Sequence, residues 1–159
     1  MKHPEKTCVL GVISDTHGTL LREAVVALAG VDLIVHAGDI DSADVLASLQ
    51  DIAPVVAVRG NMDRGGWTKD LLRTQVVKVA GVRIYVIHDI HALDLDPAAA
   101  GFSVVISGHT HRPSIKQKDG VVYINPGSAW WPRSGEPPTL AIVRVRNGQV
   151  QPRLVHLGA

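Results

Sequence analysis

Near its start the chain reads Thr7-Cys8-Val9-Leu10-Gly11-Val12-Ile13-Ser14-Asp15-Thr16-His17-Gly18, and this stretch decides the fold class. The continuous apolar run predicts a strand that is buried on both faces. The apolar positions after the polar loop recur at helical spacing: Leu20, Leu21, Ala24, Val25 and Leu28. Gly30 is the expected C-terminal cap of that helix. A buried strand that leads into a helix indicates an α/β fold with a parallel sheet.

The same alternation of strand and helix continues to about residue 60. Apolar runs at 32–35 and 54–58 predict two further strands. Between them, Ser42 is a suitable N-cap for a short helix. That helix would bury Val45, Leu46 and Leu49.

The second half is predicted to consist mainly of strands joined by tight turns. The predicted strands are 75–79, 82–87, 104–106, 115–118, 121–124, 140–145 and 150–157. Ala80-Gly81, Asp119-Gly120 and Asn147-Gly148 predict hairpin turns. A short helix is predicted at 96–100, beginning at Asp96-Pro97. The pattern favours two mixed sheets packed face to face, with helices outside them.

Composition narrows the classes of function. The 159 residues suit a single domain, 1–159. A net charge of +1 and 4% aromatic residues argue against a nucleic-acid partner. Cys8 is the only cysteine, so there is no intrachain disulfide. The first residues do not resemble a signal peptide, and no apolar run reaches the ~18 residues of a membrane span. We therefore expect a cytoplasmic protein without a membrane partner.

Side chains of metal-ligand type follow five of the predicted strands. They are Asp15 and His17, Asp39, Asn61 and Asp63, His88 and Asp89, and His109 and His111. The carboxyl ends of strands in open α/β sheets gather ligands at one edge, so these segments are expected to converge. Mixed carboxylate, imidazole and amide donors suit Mn, Fe, Ni or Zn. Two ions ~3.5–4 Å apart can clamp a phosphoryl group. Asp39 is placed to bridge them.

This ordered set of residues resembles the calcineurin-like metallophosphoesterase superfamily. Gly108-His109-Thr110-His111-x-Pro113 and Asn125-Pro126-Gly127-Ser128 are similar to the compact YfcE-type phosphodiesterase branch. The resemblance implies a four-layer αββα sandwich and a bridging hydroxide that attacks phosphorus. It also implies the ligands: Asp15, His17 and His111 for the first metal, Asn61, His88 and His109 for the second, and Asp39 for both. Asp39 and Asn61 are accordingly candidate catalytic residues.

The chain departs from the family pattern at two positions. Met62 stands where many members of the superfamily carry a His that can protonate the leaving group, and the YfcE-type branch also lacks that His. Loss of a general acid typically costs ~10²–10⁴-fold in rate, so aryl phosphodiesters are the expected substrates. His91 is a candidate replacement acid. Asp89 stands where the branch usually has Gly, and it is either an acceptor for an imidazole or a residue that points away.

Several alternatives stay open at this point. The expected partner is a small phosphate ester, and the alternative enzyme is a phosphomonoesterase acting on nucleotides or phosphoproteins. A non-catalytic scaffold similar to the retromer subunit is the alternative outside enzymes, and a homo-oligomer is one option. Asp63 is either a loop-capping residue or a functional one. His36 is expected to be a satisfied core residue, and the role of Arg112 is undecided.

Overall fold

The computed structural model describes residues 7–130 and 135–158. Two α-helices and ten strands follow one another in these ranges. They are β1 (Thr7–Ile13), α1 (Arg22–Ala27), β2 (Leu33–His36), α2 (Ala43–Gln50), β3 (Val55–Ala57), β4 (Thr74–Val79), β5 (Val82–Ile87), β6 (Val104–Ile106), β7 (Ser114–Lys118), β8 (Val121–Asn125), β9 (Thr139–Arg146) and β10 (Gln149–His156). Short 3-10 helices lie at Gly66–Thr68 and Ile90–Ala92.

The strands form two mixed five-stranded sheets, which confirms the predicted α/β sandwich. The first has the order β10-β9-β1-β2-β3, and the second has the order β4-β5-β6-β8-β7. In the first sheet β1, β2 and β3 are parallel, and β9 runs antiparallel to both β1 and β10. In the second sheet β5, β6 and β8 are parallel, and the outer hairpins β4-β5 and β7-β8 are antiparallel. The carboxyl ends of β1, β2 and β3 therefore lie at one edge of the first sheet, and those of β5 and β6 lie at one edge of the second.

The main core lies between the two sheets. Leu10 and Val35 from the first sheet pack there with Ile84 and Ile106 from the second, and all four are fully buried. The outer face of the first sheet packs against α1 and α2. Apolar burial on both faces of a sheet explains why the central strands read as continuous apolar runs.

The outer face of the second sheet has a thinner cover than predicted. The prediction of a helix at 96–100 is wrong, because the chain forms only a hydrogen-bonded turn there. Asp96 O accepts from Ala100 N at 3.0 Å, and Pro97 O accepts from Phe102 N at 2.9 Å. Gly101, at a φ of 84°, ends the turn before a second one can form. Five residues are too few for a helix to propagate without packing support.

Local patterns predicted the turns well and the first helix less well. Both central residues have positive φ in all three predicted hairpins, as type I′ turns require. Ser42 caps α2 by accepting from Asp44 N at 3.1 Å, as predicted. In contrast, α1 begins only after Leu21, so Leu20 and Leu21 of the apolar repeat precede the helix, and Val25 is 39% exposed. Within the described residues, no helix is long and apolar enough to cross a membrane.

Candidate metal centre

All seven predicted ligands lie at the carboxyl ends of strands and come together in one place. Asp15 and His17 follow β1, Asp39 follows β2, Asn61 follows β3, His88 follows β5, and His109 and His111 follow β6. Two groups have donor atoms within 4.8 Å of one another: Asp15, His17 and His111 in one, and Asp39, His88 and His109 in the other. The predicted convergence of five distant segments is therefore present in the fold.

In the first group, two imidazole nitrogens and a carboxylate oxygen face one another. His17 Nε2 lies 3.1 Å from His111 Nε2, which lies 3.4 Å from Asp15 Oδ1. His17 Nδ1 donates to the Asp41 carboxylate at 2.9 Å, which turns His17 Nε2 toward the other two side chains. Asp15 Oδ1 is buried and has no hydrogen-bond partner among the described residues. A cation placed between these atoms would satisfy all of them.

In the second group, donor atoms also face one another, and they include an amide oxygen. His88 Nδ1 donates to the Ala37 carbonyl at 2.7 Å, which directs Nε2 into the site. That nitrogen lies 3.0 Å from Asn61 Oδ1, 3.3 Å from Asp39 Oδ2 and 3.3 Å from His109 Nδ1. One carboxylate, two imidazoles and one amide oxygen form a donor set that fits a borderline divalent metal.

Electrostatics favour a positive charge in the second group. Burial raises the pKa of Asp39, but the hydrogen bonds from His88 and from the Met62 amide outweigh it, and the net pKa is lowered. Burial lowers the pKa of His88, but the hydrogen bond to Asp39 and the charge of Asp15 outweigh it, and the net pKa is raised. The site therefore stabilises a carboxylate together with a cation beside it.

The backbone around the ligands is unusual. Asp15, His17, Asp39, His109 and His111 all have positive φ, between 47° and 71°. The neighbouring glycines allow close packing. A Cβ on Gly38 would lie 2.6 Å from His88 Nδ1, and a Cβ on Gly60 would collide with Asp39. The ligand loops are thus held in a conformation that few residue types adopt without strain.

Asp63 caps the loops that carry the ligands. Its Oδ2 accepts from Asp39 N at 3.0 Å and from Gly60 N at 2.8 Å, and its Oδ1 accepts from Asp41 N at 2.9 Å. The side chain is buried, and both oxygens point toward backbone amides. Of the two alternatives left open by the sequence, loop capping is the one observed.

Two interactions support the candidate ligands, and the one at Asp41 was not predicted. Asp41 accepts a hydrogen bond from His17. The position of Asp41, two residues after Asp39, could have indicated this role. Asn125 Nδ2 donates to Gly108 O and to Thr110 Oγ1, both at 3.0 Å, and so holds the loop of His109 and His111. The Asn125-Pro126-Gly127-Ser128 motif therefore acts on the site through the backbone.

His36 is a satisfied core residue, as predicted. Burial lowers its pKa to about 4, so the ring is neutral. Its Nδ1 accepts from Gly38 N at 3.1 Å, and its Nε2 lies 3.1 Å from Thr16 Oγ1. Because Nδ1 is an acceptor, the proton is on Nε2 and is donated to Thr16. The ring joins the loops after β1 and β2.

A cavity of about 430 Å³ opens onto both ligand groups, and Met62 and His91 line it. Met62 is 48% exposed and offers no titratable group. Asp89 Oδ1 accepts from His91 N at 3.0 Å, and Asp89 Oδ2 lies 3.8 Å from His109 Nε2. Asp89 thus faces the imidazole but is beyond hydrogen-bond distance. Arg112 is not among the residues that line this cavity.

The sequence comparisons agree with this geometry. Residues 9–148 match the model of the calcineurin-like phosphoesterase superfamily domain. The chain belongs to this superfamily. A probable metallophosphoesterase of Methanothermobacter thermautotrophicus is 36% identical over 95% of this chain and 94% of its own length. Phosphodiesterase YfcE of Escherichia coli is 30% identical over 78% of this chain and 80% of its own length.

Solved structures show the same fold. A structure described as a novel archaeal phosphodiesterase has a TM-score of 0.78 and 25% identity, and the match covers 92% of this chain and 99% of that one. Vacuolar Protein Sorting 29 from Cryptosporidium parvum has a TM-score of 0.76 at 18% identity, covering 97% and 100%, and shares the fold. As a superfamily member, the protein is a phosphoesterase, and the family implies divalent metal ions as its cofactors.

Proposed function

We propose that this calcineurin-like phosphoesterase is a phosphodiesterase with two metal ions. The observation that carries the proposal is the pair of adjacent groups in which carboxylate, imidazole and amide donor atoms face one another. Each group supplies mixed nitrogen and oxygen donors, which suit Mn, Ni, Fe or Zn. When bound, two such ions supply a hydroxide nucleophile and neutralise charge on the phosphoryl oxygens.

Each ligand has a distinct task in this proposal. Asp15, His17 and His111 would hold the first ion, and Asn61, His88 and His109 would hold the second. Asp39 would be shared by both, and its Oδ1 accepts from Met62 N at 2.8 Å, which orients the carboxylate. The Asp41 carboxylate and the Ala37 carbonyl fix the tautomers of His17 and His88. With Nδ1 held as a donor in each ring, Nε2 is the nitrogen that each imidazole would offer to a metal ion.

This site offers few groups that can protonate the leaving oxygen. Met62 cannot donate one, so esters with acidic alcohols should react fastest. His91 lines the same cavity, and we propose it as the donor for less acidic leaving groups. A His91→Gln variant should slow phenyl esters more than 4-nitrophenyl esters. An equal effect on both esters would argue against His91 as a proton donor.

The decisive assay is hydrolysis of bis(4-nitrophenyl) phosphate with Mn, Ni, Fe or Zn added. Wild-type protein should turn it over, and Asp39→Asn and His109→Ala should lose both activity and metal binding by calorimetry. Asp70→Asn and His156→Ala, at exposed positions, are matched controls. Activity retained in Asp39→Asn would contradict the assigned bridge. Faster turnover of 4-nitrophenyl phosphate than of the diester would favour the monoesterase alternative.

The scaffold alternative rests on shared fold alone. The similarity to Vacuolar Protein Sorting 29 is at 18% identity and carries no information on activity. All seven inferred ligand positions in this chain carry side chains that can bind metal, and they converge. Failure of the protein to bind Mn, Ni or Zn in calorimetry would make the scaffold the better interpretation.

A further inference from the structure

A second and larger cavity adjoins the metal centre. It has a volume of about 770 Å³, and Asn61 and His88 lie in its wall. Asn61 also lines the smaller cavity over the ligand groups, so the two spaces meet at the second group. A volume of this size accommodates an organic group as large as a nucleotide.

Three arginines line this larger cavity, which we call the arginine cavity. Arg59 and Arg64 flank the Asn61 loop, and Arg73 lies just before β4. Arg59 Nε donates to Asp63 O at 3.2 Å, which fixes its guanidinium beside the loop. Arg64 and Arg73 are exposed. Guanidinium groups bind phosphate through paired, charge-assisted hydrogen bonds.

The other lining groups define the rest of the ligand. Asp89 and Asp94 are also in the wall, and carboxylates accept hydrogen bonds from hydroxyl groups. Asp63 belongs to the wall as well, but its oxygens already accept from three amides. Tyr85 and Ile87 contribute apolar surface. Cationic, acceptor and apolar groups together match a sugar-containing substituent that carries its own phosphate.

We propose that the arginine cavity binds a second phosphate on the substrate, so that the preferred diesters are nucleotide-like and carry an additional phosphomonoester. This inference rests on the proposed phosphodiesterase function. The scissile phosphate lies at the ligand groups, and Arg64 and Arg73 contact the second phosphate from the adjoining cavity. The arginines therefore determine specificity and take no part in the chemical step.

A matched pair of substrates tests the proposal. Thymidine 5′-(4-nitrophenyl phosphate) and its 3′-phosphorylated derivative differ only in the second phosphate. We expect a kcat/KM about tenfold higher for the derivative, through a lower KM, since one charge-assisted hydrogen bond contributes about that factor. Arg64→Gln and Arg73→Gln should bring the ratio of the two kcat/KM values close to one. Arg144→Gln removes the same charge from an exposed position on β9 and should keep the wild-type ratio.

Direct binding separates this proposal from the proposed function. Thymidine 3′,5′-bisphosphate should bind EDTA-treated wild-type protein in calorimetry, about tenfold more weakly to Arg64→Gln and Arg73→Gln. Hydrolysis of both esters with equal kcat/KM, unaffected by either variant, would overturn the inference and leave the phosphodiesterase intact. No hydrolysis of either ester with any metal would count against the phosphodiesterase. In that case, equal binding to wild type and variants would overturn the arginine cavity too.

Discussion

Replacing Asp63 with asparagine is expected to destabilise the protein and weaken its affinity for Mn. Asp63 accepts hydrogen bonds from the amides of Asp39, Gly60 and Asp41, at 2.8–3.0 Å. Asparagine keeps one acceptor oxygen and turns the other into a donor. If that oxygen serves Asp39 and Gly60, the NH₂ group faces the Asp41 amide. An unsatisfied buried donor costs about 1–3 kcal/mol, so we expect about 2 kcal/mol of lost stability.

Two measurements check this prediction, and a control isolates it. Urea unfolding with EDTA present should show the loss, and the melting temperature should fall by about 4–8 °C for a domain of this size. Because the Asp39 loop moves, Mn affinity should also fall by about 10–100-fold. Asp70→Asn makes the same chemical change at an exposed site and should change neither quantity. A loss below about 0.5 kcal/mol with unchanged Mn affinity would refute the capping role.

Three further outcomes are expected. The free energy of unfolding of the metal-free protein should fall by about 3 kcal/mol between pH 6.5 and pH 4. In the unfolded chain His36 takes up a proton below its ordinary pKa of 6.5, whereas in the folded protein it does so only near its pKa of about 4. Urea unfolding of His36→Gln should show a flatter pH profile. Gly38→Ala should abolish Mn binding because its Cβ would lie 2.6 Å from His88 Nδ1. The control Gly30→Ala has open space and a φ of 83°, so it should lose only about 1–2 kcal/mol of stability through backbone strain. Equal Mn affinities of the two variants in titrations would contradict this prediction. Met62→His should speed phenyl esters more than 4-nitrophenyl esters, by up to about 10²-fold, and an unchanged ratio of rates would count against a missing proton donor.

Local sequence patterns determined much of this fold. The hairpins at Asp119-Gly120 and Asn147-Gly148 were predictable, because a two-residue turn with positive φ needs those residue types. The strands were predictable from apolar runs, since both faces of the central strands are covered. The helix expected at 96–100 failed because its three alanines are exposed and give it nothing to pack against.

The convergence of the candidate ligands was predictable, but the exact partners that support them were not. Strand ends and residue type pointed to Asp39 and His88 without any coordinates. In contrast, Asp63 reaches the amide of Asp39 across 24 positions, and His17 reaches Asp41 across another 24. Such contacts depend on how β2 and its neighbours are placed side by side. The spacing of residues along the chain does not by itself predict that placement.

The left-handed backbone conformation of the loops that carry the candidate ligands affects which residues evolution would favour at these positions. Five ligand residues have positive φ, and each non-glycine residue there costs about 1 kcal/mol relative to glycine. Replacing any of them with glycine would relieve backbone strain while deleting a donor atom. Selection for a stable fold alone would therefore drive these positions toward glycine. All five positions nevertheless carry aspartate or histidine, and the donor atoms that the proposed metal centre needs account for that choice.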